Sequence, residues 1–340
     1  FKLGGWKQKM RILVTGGAGF IGANFMNMWV PRRPKFEFLN LDKLTYAANL
    51  DNLTVSQESN YHFCRGDITD RSHVRQIFQD FRPEVVINFA AESHVDQSIA
   101  DPAKFITTNV NGTFNLIEEF KELWAGDYTH KRFHQVSTDE VYGFLGATGS
   151  FTEASPYQPS SPYSASKASA DLLVQSYGRT FGVPISITNA SNNFGPYQHP
   201  EKLIPKVIFN ALRGEPIPLY GTGENVRDWL YVSDHCEAIW QVVFQAKSGA
   251  RFNVGADHPL SNQQLVGELL AILAEMTGKS VEQYTQLVQH VKDRPGHDFR
   301  YAIDASLLEQ QLGWQPQTEF RAGLRATVDF YLQQYQKGKL

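Results

Sequence analysis

Short apolar runs broken by glycine, proline and acidic residues recur along the chain, and between them apolar residues fall at helical spacing. Arg11–Thr15 is a β-branched run and Phe36–Leu41 alternates; Tyr61–Gly66, Val85–Phe89, Phe133–Ser137 and Val183–Thr188 add four more strand-like stretches. A helix with Phe25, Met26 and Trp29 on one face follows the first run and is expected to stop at Pro31 and Pro34. Further helical patterns cover about 102–124, with Asn109 and Asn111 as polar oddities, and 162–181. Strands alternating with helices predict an α/β fold built on a parallel sheet. Beyond residue 190 the rhythm loosens. Helices expected over 233–247 and 261–277 separate stretches rich in Pro, Gly, basic and aromatic residues, the pattern of a second, smaller lobe.

The first run leads directly into Gly16-Gly17-Ala18-Gly19-Phe20-Ile21-Gly22. Glycines at 16, 19 and 22 suit a tight turn, backbone approach to a pyrophosphate, and close packing of the next helix, whose first N–H groups attract phosphate. The second strand ends at Asp42, where the adenosine ribose of a dinucleotide is expected. A carboxylate there accepts from ribose hydroxyls and repels a 2′-phosphate, favouring NAD over NADP; Lys43 beside it acts in the opposite sense. Asp67, ending the third run, is placed to meet the adenine amine, and the small Ala90 and Ala91 after the fourth let a cofactor pass close to the backbone. The expected fold is therefore a Rossmann-type doubly wound parallel sheet over residues 10–190, to which elements near 228–256 return. A smaller C-terminal substrate-binding lobe is expected over 191–340.

With 340 residues and 42% hydrophobic content, the chain is long enough for a large core and two lobes. A formal net charge of −3 without basic or acidic blocks gives no sign of a nucleic-acid surface, and no apolar run reaches membrane-spanning length. Ten histidines without HExxH spacing and two distant cysteines, Cys64 and Cys236, point to no metal site and to a reduced, cytoplasmic enzyme without a disulfide. Residues 1–9 lack the long apolar segment of a signal peptide and are set aside from the fold.

The candidate chemistry lies where the fifth run ends, in Ser137-Thr138-Asp139-Glu140-Val141-Tyr142-Gly143. In a parallel sheet, ligands bind beyond the carboxyl ends of the strands, so a hydroxyl followed by two acids is badly placed for a core and well placed for catalysis. Downstream, Ser161 is a candidate N-cap with Pro162 at the first helical position, which puts Tyr163 and Lys167 four apart on one helix face. A lysine ammonium near the Tyr163 hydroxyl is expected to favour the phenolate.

The glycine block and Tyr163-x-x-x-Lys167 together resemble the extended short-chain dehydrogenase/reductases. Within them, the 137–143 block, Ala90–Asp96, Asn192–Gln198, Pro200–Pro205, Arg227–Val232 and Asp293–Asp298 resemble the dTDP-glucose 4,6-dehydratases, and the likeness covers essentially the whole chain after Met10. The resemblance implies NAD as cofactor, dTDP-glucose as substrate and a homodimer pairing the helices near 102–124 and 162–181. It also implies roles: Tyr163 takes the sugar 4-OH proton as hydride leaves C4, Glu140 removes the C5 proton, and protonated Asp139 serves the departing 6-hydroxyl. Thr138 bonds the 4-oxygen, Lys167 supports Tyr163, and the hydride returns to C6. Gly16, Gly19, Phe20, Ile21, Gly22, Asp42, Lys43, Leu44, Thr45, Asp67, Ile68, Phe89, Ala90, Ala91, Thr108 and Asn193, with Tyr163 and Lys167, fall where the family binds NAD. Ser93, Thr138, Asn192, Lys202, Leu203, Pro218, Tyr220, Arg227, Asn262, Arg294 and His297 fall where it holds the nucleotide sugar, Arg227 and Arg294 as forks for the diphosphate. Another nucleotide-sugar 4,6-dehydratase, a 4-epimerase, or a non-catalytic dinucleotide-binding regulator would share the glycine loop. The epimerases lack the Asp-Glu pair, and a regulator has no need of it together with Tyr163 and Lys167.

Overall fold

The computed structural model describes residues 9–293 and 298–338. Twelve strands are present among them: β1 (Arg11–Thr15), β2 (Glu37–Asp42), β3 (Tyr61–Arg65), β4 (Val85–Asn88), β5 (Arg132–Thr138), β6 (Ile185–Ala190), β7 (Asn192–Phe194), β8 (Ile217–Tyr220), β9 (Val226–Tyr231), β10 (Ala250–Val254), β11 (Pro259–Ser261) and β12 (Val288–Val291). Seven of them form one parallel sheet in the order β10-β6-β5-β4-β1-β2-β3. The chain order reverses between β1 and β4, and a doubly wound sheet opens its ligand crevice beyond the carboxyl ends at such a point. The Rossmann-type expectation holds.

Alternation along the strands assigns each face its own core. Ile12 and Val14 face one side, where they meet Phe25, Met26 and Trp29 of helix α1 (Phe20–Arg32); Leu13 faces the other, with Phe78, Phe120 and Val174. Trp29 stacks on Trp240 at 4.0 Å between centroids, which locks α1 against the helix over residues 232–245. This packing corrects one expectation. Pro31 does not stop α1, which continues to Arg32. A proline removes one hydrogen bond to the preceding turn, and here that loss falls in the final turn, beside fully buried Trp29 and Val30. The sixth strand likewise begins at Ile185 rather than Val183, just after Pro184, which has no N–H for the ladder.

Register carries a polar rung across the strand ends. Thr15 pairs with Asn88 and Asn88 with Gln135. Thr15 Oγ1 donates to Asn88 Oδ1 (2.6 Å), and Asn88 Nδ2 to Gln135 Oε1 (2.8 Å). The amphipathic stretch near 102–124 comprises a short helix α2 (Pro102–Phe105), a π-helical segment (Ile106–Gly112) and helix α3 (Thr113–Trp124). The wider π turn directs Asn109 into the interior, a common use of such segments near functional sites. Helix α4 (Pro162–Phe181) packs beside α3 and the end of β5.

After β6 the chain builds a three-stranded sheet, β11-β9-β7, and a parallel pair, β12-β8. Helix α5 (Leu203–Arg213), helix α7 (Asn262–Thr277) and the helix Phe320–Gln336 surround a separate core that includes Phe194, Ile204, Leu265, Leu269 and Leu324. Between β9 and β10, α6 (Val232–Gln245) carries the chain back against the first layer, and β10 becomes the edge of the main sheet.

Candidate active site

The glycine turn is dictated by contact distances. Gly16 has φ +70°, and a Cβ there would lie 2.8 Å from the Ala90 backbone nitrogen. Gly22 packs so tightly on the carbonyl of Gly16 that any side chain would overlap it. No side chain caps Gly19 at the start of α1, so this helix opens with N–H groups towards the cleft that the glycines line. Asp42 is almost fully buried, with Oδ2 accepting from Ala18 N (2.9 Å) and Oδ1 from Leu44 N (2.8 Å). Burial raises its pKa, and these two N–H groups oppose the rise. Each oxygen keeps a second lone pair for a ligand. Lys43 Nζ meets Asp67 Oδ2 at 2.6 Å across the same end of the cleft.

All the expected cofactor residues line this one cleft except two. Leu44 instead adopts φ 58° in the bend after β2. Asn193 does not line the cleft, its Nδ2 donating to Ser191 O and its Oδ1 bonded to His235 Nδ1 (2.9 Å). The opposite wall is held from behind by Asn109. It accepts from Glu92 N (2.8 Å) and donates to Glu92 O (3.0 Å) and Ser166 Oγ (2.8 Å), joining the post-β4 loop to α4. Asn109 stood out in the sequence only as a polar residue in an amphipathic pattern, and spacing alone could not assign this task.

At the inner end of the cleft stand Val136, Ser137, Tyr163 and Lys167. Strand β5 finishes at Thr138, and Asp139–Tyr142 form a single 3₁₀ turn. The Thr138 hydroxyl accepts from Glu140 N (3.3 Å), donates to Asp139 Oδ1 (3.3 Å) and lies within hydrogen-bonding reach of the Tyr163 phenol. One hydroxyl thus gathers both acids and the tyrosine. Asp139 is 2% exposed and its Oδ2 has no hydrogen-bond partner. Burial, then the charges of Glu140 and Asp228, push its carboxyl well above the usual carboxylate range, which favours the protonated form more than in an exposed acid.

Tyr163 and Lys167 sit as the sequence implies, in the first turns of α4, with Ser161 and Ser164 closing a capping box and Pro162 at the first position. Their electrostatics differ from expectation. Lys167 Nζ donates to the Val136 carbonyl at 2.7 Å, and the charge does not bring the phenol down. Burial and then the Glu140 and Asp139 charges hold Tyr163 well above its ordinary value, while desolvation lowers Lys167 to about 8.

A model of the GDP-mannose 4,6 dehydratase family matches residues 13–327. The chain is 50% identical over 329 residues to a probable dTDP-glucose 4,6-dehydratase of Sinorhizobium fredii, covering 95% of this chain and 93% of that one. It is 51% identical over 329 residues to the dTDP-glucose 4,6-dehydratase of Xanthomonas campestris pv. campestris, covering 94% and 92%. The chain belongs to the dTDP-glucose 4,6-dehydratase family. The crystal structure of the Streptomyces venezuelae dTDP-glucose 4,6-dehydratase with NAD bound superposes with a TM-score of 0.87 at 43% identity, covering 96% of this chain and 98% of that one.

In this dehydratase-family chain, the residues expected to hold the sugar nucleotide divide between two places. Ser93 and Lys202 line the cofactor cleft itself, with Lys202 Nζ donating to Ser93 O (3.3 Å). Asn192 opens β7, Leu203 opens α5, Pro218 and Tyr220 lie on β8, and Asn262 is the first residue of α7. Arg227 is buried on β9, and its guanidinium donates to the carbonyls of Val226 (2.7 Å), Asp298 (2.9 Å) and Phe299 (3.3 Å) with Tyr301 4.2 Å beneath it. It braces the 298–301 segment and sets a positive charge near Asp139 and Glu140. Arg294 and His297 lie outside the described residues. Gln198 and His199, not among the expected site residues, also line the cleft. Glu201 ties this segment down, meeting His94 at 3.5 Å and His199 at 3.7 Å. No helix among the described residues is long and apolar enough to cross a membrane.

Proposed function

We propose that the protein converts dTDP-glucose to dTDP-4-keto-6-deoxyglucose and water with NAD as a resident cofactor. The observation that carries this reading is the acid pair at the end of β5, in which Asp139 is buried with an unpartnered Oδ2 beside Glu140, and burial and then the Glu140 charge raise its pKa. Elimination of water across C5 and C6 needs one carboxyl as acid and one as base, with separated pKa values. The uncapped α1 N-terminus, the glycines of the turn and Asp42 at the ribose end fit a dinucleotide, and the Asp42 charge disfavours a 2′-phosphate. NAD, when bound, supplies a hydride acceptor for C4 and returns the hydride to C6. Tyr163 accepts the 4-OH proton, Thr138 orients the 4-oxygen, Glu140 removes the proton from C5, and Asp139 delivers one to the departing 6-hydroxyl. Lys167 stabilises the deprotonated tyrosine. Incubating the protein with dTDP-glucose and no added reductant gives a sugar nucleotide lighter by one water; unchanged dTDP-glucose overturns the reading. A parallel incubation with GDP-mannose, named by the matching family model, tests the second reading, in which a different nucleotide sugar is preferred.

The same reading includes a homodimer built on the 102–124 stretch and α4, and a cytoplasmic location, consistent with two free cysteines. Leu172 and Phe181 on α4, and Ile106 at the start of the π segment, are about half exposed. Large apolar side chains grouped on neighbouring helices favour burial by a partner. Sedimentation at micromolar concentration is expected to give the mass of two chains, and Leu172→Glu to shift it to one. A wild-type protein sedimenting as one chain removes the dimer.

A further inference from the structure

Helix α4 presents Tyr163, Lys167 and Asp171 at successive intervals of four, one above another on a single face. The reaction outlined above employs the first two. Asp171 is completely buried. Its Oδ2 accepts from Ser137 Oγ (2.7 Å), Tyr157 OH (3.0 Å) and Asn189 Nδ2 (3.1 Å), while Oδ1 is buried without a partner. Burial raises the Asp171 pKa, and the Lys167 charge and then the three donors on Oδ2 oppose that rise, so the buried carboxylate depends on a countercharge. Lys167 supplies it from the adjacent turn, 4% exposed and tethered to Val136 O.

The donors come from three separate elements, all bearing on the catalytic strand end. Ser137 immediately precedes Thr138. Asn189 Nδ2 also donates to the Thr138 carbonyl (3.2 Å). Tyr157 belongs to the loop that follows the acid turn and packs edge-on against Tyr142.

We propose that Asp171 is a positioning residue for the reaction: anchored by Ser137, Tyr157 and Asn189, it provides the buried countercharge that holds the Lys167 ammonium beside Tyr163. This rests on the dehydratase reading, and it assigns a task to a residue that touches neither sugar nor cofactor. Burial drives the Lys167 ammonium down to about 8, and Asp171 is the charge that opposes this fall. Other titratable groups also face this corner. Tyr163 shares the helix, Asp139, Glu140 and Tyr142 occupy the turn after β5, Tyr157 comes from the loop and Arg251 from β10. His134 on β5 is bonded to Ser186 and Thr188 on β6. Among the charges on helices packed against α4, Lys104 pairs with Glu92 and Lys121 with Glu118.

Lys167 acts while protonated, so activity declines as pH rises through its pKa. Removing the Asp171 charge lowers that pKa and moves the decline to lower pH. Asp171→Asn keeps an oxygen for the three donors while removing the charge. The test is the ε-carbon NMR titration of lysine-labelled, cofactor-bound protein, with Lys167→Arg identifying the signal, alongside the pH profile of kcat. Asp171→Asn is expected to lower the Lys167 midpoint by about one unit or more, the usual effect of a neighbouring opposite charge. The alkaline limb of kcat moves with it and KM changes little. Asp171→Glu restores both, and Tyr157→Phe, which removes one anchor, gives a smaller shift in the same direction. Midpoints equal to wild type in every variant that binds cofactor overturn the proposal. The NMR titration needs no turnover, so inactivity of wild-type protein towards dTDP-glucose would count against the function without deciding this inference.

Discussion

Tyr163→Phe leaves the protein folded and able to bind cofactor but unable to begin turnover. The ring stays packed edge-on against Phe105, 6.3 Å between centroids, so the fold loses only a hydroxyl from the inner end of the cleft. That hydroxyl is the group within reach of Thr138 and next to both acids, and without it no base is placed for the 4-OH proton. Loss of a positioned base costs about 10²–10⁴ in rate. Dehydration of dTDP-glucose should therefore fall by at least two orders of magnitude by this estimate, with no reduced nicotinamide visible in a stopped-flow trace. Reduced nicotinamide forming at the wild-type rate in this variant would remove Tyr163 from the oxidation step.

Glu140→Gln and Asp139→Asn separate the later steps. With Glu140→Gln, C4 is oxidised but the C5 proton has no base, so reduced nicotinamide accumulates and solvent deuterium enters C5 slowly. The same change shifts the acid side of the oxidation step. Glu140 is the largest charge raising the Tyr163 pKa, so its neutralisation lets the tyrosine lose its proton at lower pH. The acid limb for nicotinamide reduction is expected to move to lower pH. Asp139→Asn keeps a polar group of the same shape and removes a charge that burial and Glu140 already disfavour, so stability should change little. It removes the transferable proton, so expulsion of the 6-hydroxyl slows by about 10²–10⁴ while C5 exchange continues. Near-normal dehydration by Glu140→Gln would remove the base from the scheme, and with it the reason to prefer a dehydratase over an epimerase.

Much of this protein is legible in its sequence because the relevant signals are local. Strand–glycine–helix order, the placement of Asp42 at a strand end, two acids after the β5 hydroxyl, and Tyr163 four residues before Lys167 all depend on short spacings that local backbone geometry converts directly into position. Tertiary structure decided what depends on packing between distant segments. Pro31 stays helical because Trp29 is stacked on Trp240, more than 200 residues away. Arg227, a fork suited to a diphosphate by its chemistry, directs three of its five N–H donors to the carbonyls of Val226, Asp298 and Phe299, a bracing role that only the fold reveals. The Tyr163–Lys167 spacing was correct, but the net shift of the phenol is upward, because burial and two neighbouring acids outweigh the lysine. Asp171 is an unremarked helical aspartate in the sequence. Its partners lie on β5, β6 and a loop, and only the sheet register that brings Ser137 opposite Asn189 turns them into one buried network.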